Sequence, residues 1–295
     1  MFLWLLSIMT QETRKYMDLH THSIYSDGTL SPEDIVWNAK LNGLDAIALT
    51  DHDSIDGLER AKKAAEKFNI ALVPGIEFTL DKYHLLAFNF CIYSESFKGV
   101  VAFSRKVQHM LTERRVEHLK NNGIPINMEK VLHYSPEARL GKFNIAMAMM
   151  QDPECSKYIQ ERHGNISGKN VLDLYLNRTA IVPYISSDSY GSPTLTTINR
   201  IHEAGGIAVL AHAANDIKNL EELDVLRRLG IDGLEIQMNG NRRKYDVIEE
   251  YAKEHDLLIT YGSDYHGPCL SRNMLSREDE ENFMSEELRR RLGIK

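Results

Sequence analysis

Cysteine is scarce in this 295-residue chain: Cys91, Cys155 and Cys269 are odd in number, far apart and form no CxxC pair. That speaks against a disulfide framework and a zinc ribbon, and makes a reducing cytoplasm the expected location. An excess of positive charge is also missing. Lys and Arg number 35 against 42 Asp and Glu, a formal net charge of −7, so no broad nucleic-acid surface and no stable nucleic-acid partner are expected. Long apolar runs are absent too. FLWLLSIM at 2–9 falls far short of the ~20 residues of a membrane span. No basic stretch precedes it and no small-residue cleavage pattern follows it, so residues 1–16 are read as an N-terminal extension, or as a start placed too early, with Met9 and Met17 as later candidates. No internal repeat or low-complexity tract interrupts the chain.

What is present is a hydrophobic content of 43%, enough for one large α/β domain or one domain carrying an insertion. Strand and helix patterns alternate. MDLHTH (17–22) reads as a strand. SPEDIVWNAKLNG reads as a helix capped by Ser31, with Pro32 at its first position and Gly43 as its stop. DAIALTDHD is a buried strand, SIDGLERAKKAAEKF a helix, and ALVPGIEFT and HLLAFNFC two further strands. From 95 to 190 the alternation stops. A long helix, VVAFSRKVQHMLTERRVEHLKNNG, followed by a short one within 99–135, further short helical pieces and the loop SSDSYGSPT mark a mostly helical insertion. The alternation then resumes, with helices in TLTTINRIHEAGG, NLEELDVLRRLG and NRRKYDVIEEYAKEH, and strands in GIAVLAH, GLEIQM and LLITYGSD. Repeated units of this kind predict a parallel barrel or a doubly wound sheet.

Histidines and acids collect where these strands terminate. His20 and His22 stand at i and i+2, which on a strand aims both rings to one side. Asp27 follows in a Ser-Asp-Gly turn, where an Asx turn is an equal explanation. His52 lies in TDHD, with Asp51 or Asp53 as candidates to orient a ligand imidazole; Asp53 alone is better explained as a helix cap. Glu77 ends ALVPGIE and is able to bridge two cations, His84 opens HLLAF, and His212 closes GIAVLAH. Asp264 and His266 repeat the i, i+2 spacing. Each motif by itself is modest evidence; five segments in chain order, all at strand ends, are strong evidence for a metal centre. Nitrogen and carboxylate donors in this mixture suit Mn, with Fe or Zn as alternatives, better than Ca or Mg. The histidines at 109, 118, 133, 163, 202 and 255 are expected at the surface, and Met147, Met149 and Met150 in a core.

In combination the motifs DLHTH-x4-DG, TDHD, GIE, AHA and GSDYH resemble the PHP (polymerase and histidinol phosphatase) superfamily, over about 17–95 and 195–267. The resemblance extends to its stand-alone phosphoesterases, which include 3′,5′-bisphosphonucleotide phosphatases and 5′-directed exonucleases of short RNA. It implies an α/β fold: a distorted seven-stranded (β/α) TIM-like barrel, in two parts (17–94 and 191–295), with a mostly helical insertion (95–190) capping the substrate. It also implies up to three cations. One would be held by His20, His22, Glu77 and Asp264; one by Glu77, His84 and His212; one by Asp27, His52 and His266.

The activity so implied is hydrolysis of a phosphate ester of a small nucleotide or phosphorylated metabolite, through attack of a metal-bridging hydroxide. His266 and His212 are the candidate proton donors to the leaving oxygen. Lys142, Arg139 and Asn144 are the candidate substrate contacts, and Arg114 and Arg115 are expected on solvated helix faces. Relatives often carry Gly-Arg-Pro-His-Ile-Ala where this chain has Gly141-Lys142-Phe143-Asn144-Ile145-Ala146, and Ala-His-Pro where it has Ala211-His212-Ala213. Lys142 keeps the charge without arginine's bidentate fork, and Asn144 loses a proton donor, so a different substrate is expected. The rival readings are a phosphodiesterase for a cyclic phosphate or short oligonucleotide, a C–N hydrolase, and a non-catalytic metal-binding module. Histidinol phosphatase fits the insertion less well. No membrane association is expected, and the oligomeric state is left open.

Overall fold

The computed structural model describes residues 15–80, 82–135, 140–176, 194–237, 242–268, 273–279 and 283–294. Seven strands, β1 (Met17–Asp18), β2 (Ala46–Leu49), β3 (Ala71–Thr79), β4 (His84–Phe88), β5 (Ile207–Leu210), β6 (Gly233–Gln237) and β7 (Leu258–Gly262), pair in chain order. The sheet curls round so that the Leu19 N–H reaches the Tyr261 carbonyl at 3.0 Å and Thr21 bridges to Tyr265, which nearly closes a barrel. The strand expected over 17–22 is thus regular only at Met17–Asp18; beyond it the chain is held by single bonds on both sides.

One expectation needs correction: the barrel is not all parallel. β4 runs antiparallel to both β3 and β5. The reason is the connection. Only Leu80 to Tyr83 separate β3 from β4, closed by the Leu80 N–H on the Tyr83 carbonyl at 3.0 Å, and a parallel return needs a crossover of a dozen or more residues. The reversal matters for the site. His84, the first residue of β4, pairs with Thr79, the last of β3, so it arrives at the same barrel mouth as residues that follow the other strands.

Helices α1 (Pro32–Leu41) and α2 (Leu58–Phe68) cover the outside of the first strands. Ser31 caps α1 by accepting from the Asp34 N–H at 3.2 Å, and Gly43 takes φ 71°, which lets the chain turn away at the helix end. Ala61, Ala64 and Ala65 bury the inner side of α2. Inside the barrel, Val73, Leu86, Phe88, Val209 and Ala211 meet Met17, Leu19, Ala46 and Ala48, and Leu288 and Leu292 of the last helix, α12 (Glu286–Leu292), join the same cluster.

Between β4 and β5 run α3 (Glu95–Asn121), α4 (Met128–Tyr134), α5 (Lys142–Gln151), α6 (Pro153–His163), α7 (Gly168–Tyr175) and α8 (Thr194–Glu203). At 27 residues α3 extends about 40 Å. Its first turns pack Phe97, Val100 and Val101 into the barrel's outer core, whereas Val116 and Leu119 belong to a second core with Ile145, Met149, Ile159 and Val171. The end set for the insertion at 190, and the loop SSDSYGSPT but for its last residue, Thr194, lie outside the described residues. Beyond β5 come α9 (Ala213–Asp216), α10 (Leu220–Leu229) and α11 (Arg242–Glu254). Among the described residues no helix is long and apolar enough to cross a membrane.

The second core also sets a thiol apart. Cys155 is fully buried and its Sγ donates to the Pro125 carbonyl at 2.9 Å. Burial, aided by Asp152 and opposed by Lys130, pushes the thiol up to about 12. Cys91 is exposed. Iodoacetamide at pH 8 is therefore expected to alkylate Cys91 in the folded protein and to spare Cys155, since only the thiolate reacts. Peptide mass mapping checks this, and early labelling of Cys155 would contradict the packing described.

Candidate metal centre

At the mouth of the barrel six imidazoles and three carboxylates converge. Glu77, completely buried on β3, is the hub. Its Oε2 lies 3.1 Å from His20 Nε2, 3.3 Å from His22 Nε2 and 3.2 Å from His52 Nδ1; its Oε1 lies 3.0 Å from His84 Nδ1 and 3.2 Å from His212 Nε2. Asp264 Oδ1 approaches the same Nε2 atoms of His20 and His22, at 3.4 and 3.2 Å. On the other side Asp27 Oδ1 is 3.3 Å from His266 Nε2, and its Oδ2 is 3.6 Å from His52 Nε2.

These residues form three overlapping groups able to hold a cation: His20, His22, Glu77 and Asp264; His22, Asp27, His52 and His266; and His52, Glu77 and His84. The first is the set expected from the sequence. The second adds His22 to the expected Asp27, His52 and His266. The third has His52 in the place expected for His212, although His212 Nε2 still lies 3.2 Å from both Glu77 Oε1 and His84 Nδ1.

The donor atoms suit a metal better than they suit one another. His20 Nε2, His22 Nε2, Asp27 Oδ1 and Glu77 Oε2 are buried without a hydrogen bond, although oppositely charged atoms lie nearby. Native proteins seldom leave buried polar atoms in that state. Two ligands each about 2.0–2.2 Å from one cation lie roughly 3.0–3.6 Å apart, which is the spacing seen here. Electrostatics agree. Burial by itself would raise the Asp27 and Glu77 carboxyls, but His266 and His52 outweigh it at Asp27, and His52, His20 and His84 at Glu77, holding both well below the usual carboxylate range. Burial works against charge on His22 and His212 too. There Asp264 and Glu77, and Asp216 and Glu77, prevail and raise each imidazole to about 10. A site that draws protons this strongly draws divalent cations for the same reason.

Buried side chains behind the site hold it in shape. His22 Nδ1 faces Ser26 Oγ at 3.4 Å, and that hydroxyl donates to Asp51 Oδ1 at 2.7 Å. Asp51 also accepts from the Ser23 N–H and hydroxyl, both at 2.7 Å, so it organises the loop that carries Asp27 and touches no ligand imidazole directly. Asp53 does not cap a helix. With φ 47° it accepts from the Thr79 N–H at 3.1 Å and from the Ser104 hydroxyl, which ties α3 to the His52 loop. His212 Nδ1 meets Asp216 at 2.9 Å, and His266 Nδ1 donates to the Asp264 carbonyl at 2.8 Å.

The candidate substrate contacts fare differently. Lys142 is half-buried at the first position of α5. Asn144 is buried and already committed: its Nδ2 donates to the Ser26 carbonyl at 3.2 Å and its Oδ1 accepts from the Gly141 N–H at 2.7 Å. It fastens the start of α5 to the Asp27 loop. Arg139 lies outside the described residues. Arg114 is exposed as expected, but Arg115 is 93% buried, on the side of α3 that carries Ser104 and Gln108. None of the six other histidines is buried, and Met149 is core. Asp18, although it opens DLHTH, and Asp216 and Glu235 were not among the candidate site residues; the available signal at Glu235 was a lone acid inside an apolar strand.

Comparison with known proteins agrees with this geometry. Residues 18–163 match the PHP domain. A 5′-3′ exoribonuclease from Haemophilus influenzae is 29% identical over 269 residues, covering 87% of this chain and 92% of its own. A 3′,5′-nucleoside bisphosphate phosphatase from Chromobacterium violaceum is 27% identical over 268 residues, covering 85% and 87%. The crystal structure of a Bifidobacterium adolescentis protein assigned as a metal-dependent phosphoesterase superposes with a TM-score of 0.72 at 27% identity, over 94% of this chain and 96% of that one. The fold, the histidine- and acid-lined mouth of its barrel and these relatives lead to one conclusion: residues 18–163 are a PHP domain, and the chain as a whole is similar to metal-dependent phosphoesterases.

Proposed function

We propose that this phosphoesterase hydrolyses a phosphate ester of a small nucleotide or phosphorylated metabolite, using up to three divalent cations, with manganese the first choice. The observation that carries the reading is Glu77, one buried carboxylate facing five imidazoles from separate segments at the mouth of a barrel. When bound, the cations supply positive charge to a phosphoryl group and make a nucleophile available from water near neutral pH.

The protein's own part is to hold that arrangement rigid. Glu77 joins the groups, Asp51 shapes the Asp27 loop, and Asn144 sets the N-terminal end of α5 against that loop. Lys142, at that end, is assigned to neutralise charge on the phosphoryl oxygens as it builds up. His212 and His266 are assigned to the cations and not to proton transfer, because each has both ring nitrogens engaged. The leaving oxygen then takes its proton from water. A diester substrate is the second reading, favoured by the similarity to an exoribonuclease.

The test is phosphate release by Mn²⁺-loaded protein across nucleotide mono- and bisphosphates, sugar phosphates, cyclic phosphates and short 5′-phosphorylated RNA. Turnover of one class, lost in His52→Ala, is the expected result and decides monoester against diester. Silence across the panel with filled metal sites would overturn the reading in favour of a C–N hydrolase or a binding module.

A further inference from the structure

Glu235 is completely buried in the middle of β6, between Leu234 and Ile236, which are buried as well. A carboxylate is kept in such a place only by its partners. Both partners are site residues that follow other strands, His20 after β1 and His212 after β5. His20 Nδ1 lies 2.8 Å from Oε1, and the backbone N–H of His212 donates to Oε2 at 2.6 Å.

The two contacts do different things. An imidazole that donates from Nδ1 keeps its lone pair on Nε2, and Nε2 is the His20 atom that faces Glu77 and Asp264. The first hydrogen bond therefore selects the tautomer that a cation requires. The second restrains a backbone. His212 has φ 31° and ψ 46°, in the left-handed region that a residue with a Cβ seldom occupies, and its N–H is held there by Oε2. β7 leaves room for this: a Cβ on Gly262 would lie 2.1 Å from Glu235 Oε1 and 2.4 Å from His20 Cβ.

We propose that Glu235 is a positioning residue that presets His20 and His212 together, so that one carboxylate orients a member of one cation group and an imidazole that lies against Glu77 and His84 of another. The proposal rests on the reading of the site as a metal centre, and its test separates the two. Metal-free wild type and Glu235→Gln are titrated with Co²⁺, followed by visible absorption, alongside thermal melts. Glutamine keeps the shape but turns an amide donor toward one of two N–H groups. The expected result is a roughly 10–100-fold weaker Co²⁺ affinity with shifted absorption bands, and phosphate release restored by raised Mn²⁺.

A measurement on wild type alone covers the case in which the variant does not fold. In Zn²⁺-loaded protein, long-range ¹H–¹⁵N correlations are expected to place the His20 proton on Nδ1. Unchanged Co²⁺ affinity in the variant, or a proton on Nε2, overturns the proposal and leaves the metal centre standing. Wild type that binds neither Co²⁺ nor Zn²⁺ overturns both.

Discussion

Glu77→Gln is expected to reduce phosphate release by at least about 10³-fold, more than the loss from deleting a single group that stabilises transition-state charge. The substitution changes one oxygen to a nitrogen and removes one negative charge, with almost no change in volume. At most positions that is mild. Here Oε2 faces ring nitrogens of His20, His22 and His52, and Oε1 faces those of His84 and His212. An amide NH₂ has no lone pair to give a cation, so one side of the hub is lost whichever way the glutamine turns. Two of the three candidate groups contain Glu77. The bound metal should fall along with activity, as metal analysis of the purified variant will report. Retention of more than a tenth of wild-type turnover at full metal content would mean that Glu77 is not the hub of the metal centre.

The largest loss of stability is expected from Asp18→Ala, and it needs no metal to be seen. Asp18 is fully buried at the end of β1. It accepts from the Ser263 N–H at 3.0 Å and the Ser263 hydroxyl at 2.6 Å, from the Leu275 N–H at 3.0 Å and from the His20 N–H at 3.3 Å. Burial pushes its carboxyl up even though these donors pull it down. Alanine leaves four donors facing a small void. At about 1–3 kcal/mol for each buried group left unpaired, with some recovery by relaxation, the total is on the order of 3–5 kcal/mol. For a chain of this size that corresponds to a fall of about 10 °C in Tm. Calorimetry of the metal-free variant measures it directly. A shift under about 2 °C would mean that the donors find other partners. The Asp264 loop follows Ser263 directly, so the variant should also bind metal poorly.

The candidate ligand residues were legible in the sequence because their chemistry is local: His-x-His and Asp-x-His just after strands, and acids at the ends of apolar runs, carry their meaning in a few adjacent positions. The helix capped by Ser31 and stopped by Gly43, the long helix that ends near Gly123 and the alternating strands were legible for the same reason, since period and caps are properties of neighbours. Other features were not local. The reversal of β4 could have been read from the four-residue turn before it, but its consequence, that His84 shares a mouth with residues following the other strands, depends on the pairing of the whole sheet. Asn144 carried the right chemistry for a substrate contact and was used instead as a fastener, because the fold places the Ser26 carbonyl against it. Arg115 had the charged neighbours of a surface helix and is buried, because α3 is covered along that side.

The sequence by itself therefore determined which histidines and acids gather at the mouth, the barrel class and the PHP domain, all of which follow from residue types at short spacing. Only the tertiary structure decided which donors share a cation group, which carboxylates stand behind them and which polar side chains are already committed. Those depend on distances between segments as far apart as Asp18 and Ser263, or His20 and Glu235, and are set by closure of the barrel.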